Sequence, residues 1–196
     1  MAITIPAMAI LAIQAKPLII FVFGEQWSAS APLASQLCVF GIITAPYALA
    51  NLSLVAGGYI ASTFWVALFM HGSRIAVLLT SVALPLEKVV PLLGISALVE
   101  AGAYQYHLRN RFGLTLKAIG IEIKSALLLA LATIVVPLII SLLYWPDTGK
   151  PAEVLIFLVA TGVCAAAGWV VGVLFLRHPF RDELFRSIQY IRNPRR

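Results

Sequence analysis

Six stretches of this chain are each long and apolar enough to cross a bilayer as a helix, a task that takes about 20 residues. They run over residues 2–23, 32–56, 59–84, 89–106, 125–144 and 154–176. The breaks between them carry turn chemistry. Gly24, Glu25 and Gln26 follow the first run, Gly57 and Gly58 the second, and Pro85, Glu87 and Lys88 the third. A polar, basic segment, 107–124, follows the fourth run, and Trp145 to Pro151 follow the fifth. Only 11% of the chain is charged, whereas a soluble domain needs about 25% to face water. A soluble globular enzyme and a disordered chain are therefore excluded. The expected fold is all-α: a polytopic membrane helical bundle of about six transmembrane helices over 1–176, with a basic tail at 177–196.

Residues 1–23 have no basic start, and Lys16 interrupts their apolar run, so they read as a first span and not as a cleaved signal peptide. Cys38 and Cys164 both lie inside apolar runs and read as small packing residues, not as a disulfide pair.

The bases set an expected orientation. Arg109, Arg111, Lys117 and Lys124 are four; Arg177, Arg181, Arg186, Arg192, Arg195 and Arg196 are six; together they make ten of the chain's 14. Two spans separate the groups, so both fall on one side. Lys and Arg concentrate on the cytoplasmic side, which places both termini in the cytoplasm. Trp27, Tyr144 and Trp145 then fall at the outer interface, where amphipathic rings prefer to sit. In the tail, Phe180, Leu184, Ile188 and Ile191 recur at helical spacing between arginines. Two readings stand for it, a helix lying on the inner leaflet and a solvated basic tail.

Chemistry needs convergent polar groups, and the spans hold few. The two aspartates, Asp147 and Asp182, lie outside the spans, and His71, His107 and His178 form no metal-ligand spacing. Gly94-Ile95-Ser96 resembles a fragment of a nucleophile elbow, but no histidine follows in a span to act as base. Neither catalysis nor a cofactor or metal is implied.

Ions inside the spans are the candidates, because each costs about 3 kcal/mol or more at mid-bilayer. Arg74 lies in the third run with His71 one turn earlier, and Glu100 lies in the fourth. Depths of about 15 and 18 Å from the outer end put Arg74 and Glu100 level. Two readings stand: a structural ion pair across the hairpin, and an anion-binding cation in a polar cavity. Lys16 either snorkels outward or faces such a cavity. Gln36, Asn51 and Ser96 read as helix-packing groups. Pro6, Pro17, Pro46 and Pro137 each predict a kink, and Gly168-x-x-x-Gly172 predicts close helix approach.

The stretch from Pro17 to Pro32 ends an apolar span in Phe23-Gly24-x-x-Trp27, with Ser30 between Ala29 and Ala31 and a long second span after it. It resembles Wzx-like lipopolysaccharide and polysaccharide flippases of the oligosaccharidyl-lipid/polysaccharide exporter superfamily. Those proteins are two-lobed with about twice this number of helices, so the chain is similar to a C-terminal portion. The resemblance implies transport of a lipid-linked, polyprenyl-pyrophosphate glycan across the bacterial inner membrane, by a truncated or half transporter. It further implies Arg74, Lys16 and His71 as this lobe's substrate-binding groups, and a second lobe or a homodimer as partner beside membrane lipids, with no nucleic acid. The alternatives are a small homodimeric transporter or channel of another family, and a non-transporting subunit of a glycan-assembly complex.

Overall fold

The computed structural model describes residues 1–147 and 149–175, all-α with no strand among them. The tail and both readings of it lie outside the described residues.

Helix α1 (Thr4–Phe23) tolerates Pro6 in its first turn, where no N–H partner is needed. It stops at Gly24, whose φ of 93° only glycine adopts easily. A 3-10 turn (Glu25–Ser30) leads into α2 (Ala31–Thr44). The run expected unbroken over 32–56 is divided. Pro46 has no N–H for the ladder, so the chain tightens into a 3-10 turn at Ala45–Tyr47 and resumes as α3 (Ala50–Ala56). Gly58, at φ 78°, turns the chain, and the Tyr59 N–H donates to the Leu54 carbonyl at 2.8 Å. Helix α4 (Ile60–Thr80) ends four residues before Leu84, where the third run was expected to end.

The largest departure from expectation is the segment 107–124. It is not a loop. Helix α5 (Leu86–Phe112) runs past Tyr106, and α6 (Leu116–Leu143) begins well before Ser125. Three residues make the elbow between them. Gly113 adopts the left-handed conformation (φ 68°), and its N–H donates to the Arg109 carbonyl at 3.0 Å. Thr115 caps α6 by accepting from the Ala118 N–H at 3.3 Å. Arg109 and Arg111 in the last turn of α5 oppose its negative dipole end. The charged residues on either side of the elbow lie within helices and do not mark where those helices stop. At 27 and 28 residues they span about 40 Å against about 30 Å of hydrocarbon. Helix α7 (Pro151–Phe175) completes the described chain.

Five segments are long and apolar enough to cross a membrane: α1, the α2–α3 unit from Glu25 to Ala56, α4, α6 and α7. Helix α5 is the least apolar of the long helices. It is nevertheless long enough, and it pairs antiparallel with α4. The protein is a multi-pass, membrane-embedded helical bundle.

The helices pack in the spatial order α7, α6, α1, α2, α5, α4. Substantial packing does not join α4 to α7 among the described residues, so the layer is an open arc. Three sites fix its registers. Ile5 of α1 packs with Ala45, Ala126 and Ala130. A Cβ on Gly168 would lie 2.6 Å from the Ala132 carbonyl of α6, so the glycine spacing read as packing is the α6–α7 seam. Tyr47, Leu54, Val66, Tyr104, Leu108 and Ile119 form a cluster at the basic end. Two long-range hydrogen bonds tie α1 to the last hairpin. The Trp169 Nε1–H donates to the Ala2 carbonyl at 2.8 Å, and Gln14 Nε2 donates to Ser141 Oγ at 3.4 Å. At the free end of the arc, α4 buries only Ser62 and Val66. Its Phe64, Trp65, Leu68, Phe69, Ile75 and Leu79 are exposed.

Candidate functional site

Arg74 and Glu100 meet across the α4–α5 hairpin, Nη2 to Oε2 at 2.8 Å. Glu100 lies 14 residues from Leu86 and 12 from Phe112, in the middle of α5. That is about 20 Å from either end. The pair is asymmetric, since the Arg74 side chain is 46% exposed and the Glu100 side chain only 15%. The carboxylate is held inside the layer, and the guanidinium stands at its surface. Of its five N–H donors, one is spent on Glu100.

Arg74 edges a cavity of about 350 Å³ lined also by Leu37, Phe40, Gly41 and Thr44 of α2 and Leu93, Ser96 and Ala97 of α5. Helices α2 and α5 approach closely at a glycine of α5, against Phe40 in the cavity wall. A Cβ on Gly94 would come within 2.6 Å of the Phe40 ring. The two hydroxyls in the wall are satisfied within their own helices. Ser96 donates to the Leu93 carbonyl at 2.7 Å and Thr44 to the Phe40 carbonyl at 3.2 Å. Among the residues lining the cavity, Arg74 alone carries a charge. Chemically, the cavity is a small, mostly apolar recess with one cationic fork at its rim, suited to a carboxylate or phosphate oxygen.

One turn toward the basic end, Tyr104 stacks on Tyr47 with ring centroids 6.4 Å apart. The Tyr47 hydroxyl donates to Gln105 Oε1 at 3.3 Å, and Gln105 Nε2 donates to the Leu114 carbonyl at 3.1 Å. This buried chain couples the end of α2, the site helix and the elbow. None of its members was singled out from the sequence. Isolated polar residues beside a run's end carry no spacing signal until the elbow is known.

Lys16 is elsewhere. It is exposed, its Nζ lies 5.9 Å from the centroid of the Trp145 ring, and it lines a separate cavity of about 490 Å³ with Glu25, Ser28 and Ser35. Helix α2 turns Ala31, Pro32 and Ser35 to that cavity and Leu37, Gly41 and Thr44 to the other, on opposite sides of the helix. His71 is exposed one turn before Arg74 and lines neither. The three residues grouped from the sequence are thus three separate positions. Gln36, read as a packing group, leaves its Oε1 buried without a partner, as does Gln14.

At the basic end, Arg111 lies 4.9 Å over the Tyr59 ring, and Tyr59 meets Phe112 edge-on. Burial lowers the pKa of His107 below the ordinary imidazole value, and neighbouring Arg111 lowers it further.

No protein family, no curated protein and no solved structure matches the chain.

Proposed function

We propose that this protein is one lobe of an exporter that moves lipid-linked oligosaccharide or polysaccharide precursors across the bacterial inner membrane. The observation that carries the reading is Arg74. It is a half-exposed cation, level with the middle of α5, on the rim of a cavity at the open end of the arc of described helices. A mid-bilayer arginine is expensive and marks substrate pathways. The fork suits the phosphate oxygens of a polyprenyl-pyrophosphate headgroup. The open arc and the exposed face of α4 leave room for a second lobe or a second copy. The Phe23-Gly24-x-x-Trp27 resemblance supplies the substrate class. In this reading the elbow bearing Arg109, Arg111 and Lys117 faces the cytoplasm with both termini.

The test is complementation of a flippase-deleted strain, with surface polysaccharide stained and membrane levels blotted. Arg74→Ala should abolish export at unchanged protein level, and Arg74→Lys should restore part of it. Full export by Arg74→Ala refutes the assignment.

A second reading rests on the 2.8 Å contact itself. In a non-transporting subunit of a glycan-assembly complex, the ion pair simply holds α4 to α5. Loss of the protein in Arg74→Ala, with recovery in Arg74→Leu/Glu100→Leu, identifies that role.

A further inference from the structure

We infer that the second cavity, between α1 and the start of α2, binds a phosphate–ammonium zwitterion of the phosphoethanolamine class, presented as the headgroup of a phospholipid. The inference stands apart from the transport reading, since it uses neither Arg74 nor its cavity.

The cavity, of about 490 Å³, lies where α1 ends and the chain turns through Glu25–Ser30 into α2. Small residues leave the space open, Ala12 and Ala15 from α1 and Ala29 and Ala31 from the turn and α2. Lys16 stands seven residues before the end of α1 at Phe23, about 10 Å inside it. Its Nζ nevertheless lies 5.9 Å from the Trp145 ring, two residues past the end of α6 at Leu143. The stem thus carries the ammonium toward the level at which the helices end. The two sequence readings of Lys16, a snorkelling base and a cavity base, describe one position.

The polar groups of this cavity are uncommitted. Lys16 and Glu25 line the same space, yet neither has an ion-pair partner among the described residues. The Ser28 and Ser35 hydroxyls make no hydrogen bond among the described residues either, whereas Ser96 and Thr44 in the wall of the other cavity are both satisfied. Opposite charges that share a recess without joining suit a ligand that carries both signs. The Lys16 ammonium has three donors for phosphate oxygens, and the Glu25 carboxylate and the hydroxyl oxygens accept from a primary ammonium. A trimethylammonium has no N–H to donate and is held by aromatic cages, and no aromatic side chain is among the described residues that line this cavity. A purely anionic headgroup would meet the Glu25 carboxylate with like charge. In a membrane-embedded bundle, the zwitterions at the level of the helix ends are lipid headgroups.

The test uses the purified full chain, delipidated in detergent, with dihexanoyl phosphatidylethanolamine as the probe. Native mass spectrometry counts the bound lipid, and tryptophan fluorescence follows it, since Trp145 lies beside Lys16. Saturable binding is expected, about tenfold tighter than for phosphatidylcholine or phosphatidylglycerol with the same chains, the factor a charge-assisted hydrogen bond supplies. Lys16→Gln should weaken phosphatidylethanolamine binding about tenfold, and Lys16→Arg should restore most of it. Glu25→Gln should still bind phospholipid but lose the preference over phosphatidylglycerol. Lys117→Gln, at the elbow, should bind as the natural sequence does, and circular dichroism checks that every variant is folded. Equal binding of the three lipids, equal binding by the natural sequence and Lys16→Gln, or no saturable binding overturns the headgroup site. Free phosphoethanolamine binding as tightly as the lipid overturns the lipid as the source and makes the ligand a soluble zwitterion.

Discussion

Three glycines of α7 form a built-in series for the α6–α7 seam. An alanine Cβ at Gly162 would meet nothing within 4 Å. At Gly172 it would meet the Leu129 Cδ1 at 2.6 Å, the far end of a side chain that can rotate away, and the Ala132 Cβ at 3.2 Å, which must give by a few tenths of an ångström. At Gly168 it would meet the Ala132 carbonyl oxygen at 2.6 Å and the Thr133 Cα at 3.3 Å, which are backbone atoms and cannot yield alone. To relieve the last contact the two helices must part by about 0.4–0.8 Å, and a gap of that size forfeits a quarter to a half of each affected dispersion contact. Between membrane helices dispersion is the main attraction, since lipid is as apolar as the seam. Overpacking of this kind costs about 1–3 kcal/mol. The helix-propensity gain from glycine to alanine, up to about 1 kcal/mol, is common to all three variants and cancels in the comparison. Gly162→Ala should therefore be neutral or stabilised, Gly172→Ala intermediate, and Gly168→Ala about 1–3 kcal/mol below Gly162→Ala. Unfolding of the purified protein in mixed micelles, followed by circular dichroism against SDS mole fraction, measures the order. Equal midpoints for Gly162→Ala and Gly168→Ala would refute the seam.

Other consequences are equally direct. Arg74→Leu should lower the thermal midpoint more than Arg74→Leu/Glu100→Leu does, because the single change leaves Glu100 without its cation; a fluorescence melt in detergent compares them. Gly113→Ala places a Cβ at φ 68° with open space around it, so it should cost about 1 kcal/mol from the backbone alone, read by the same melt. Thr115→Ala removes the cap of α6 and should cost about 1 kcal/mol. Gly113→Ala and Thr115→Ala together should raise amide hydrogen exchange at the start of α6 and not in α7. Reporter fusions after Leu114 and after Thr80 should give opposite sidedness, and equal sidedness would show that α5 does not cross.

The existence of the helices was legible because apolar runs of bilayer length have few other uses. Their ends were not. Pro46 was visible as a kink, but whether a membrane proline bends a helix or divides it depends on what satisfies the freed carbonyls. Segment 107–124 misled because charge marks the water boundary and not the end of a helix. Only Gly113 and Thr115 encode the stop, and a single glycine beside a threonine is a weak signal. Arg74 and Glu100 were legible as a level pair because depth can be counted along two runs joined by a short turn. Their 2.8 Å contact follows from that register. The unequal exposure of the two, and the cavity beside Arg74, were not legible. Both depend on α2 lying against α5, and no residue spacing announces which hairpin packs on which. For the same reason Lys16 was grouped with Arg74 although α2 separates them.

The place of α1 in the arc bears on how the chain is made. It is made before α6 and α7, yet it packs between α2 and the hairpin those two helices form. Its Gln14 waits for Ser141, 127 residues later, and the Ala2 carbonyl waits for Trp169, 167 residues later. Until α6 and α7 have been inserted, α1 sits in lipid with an amide side chain unmatched. Synthesis halted after the elbow would leave the hairpins inserted but the arc unassembled. The Gln14 amide of α1 thus gains its donor contact only once α6 is in place, so a chain interrupted before α6 would differ from one carrying it by an unpaired polar group that membrane proteases could sense.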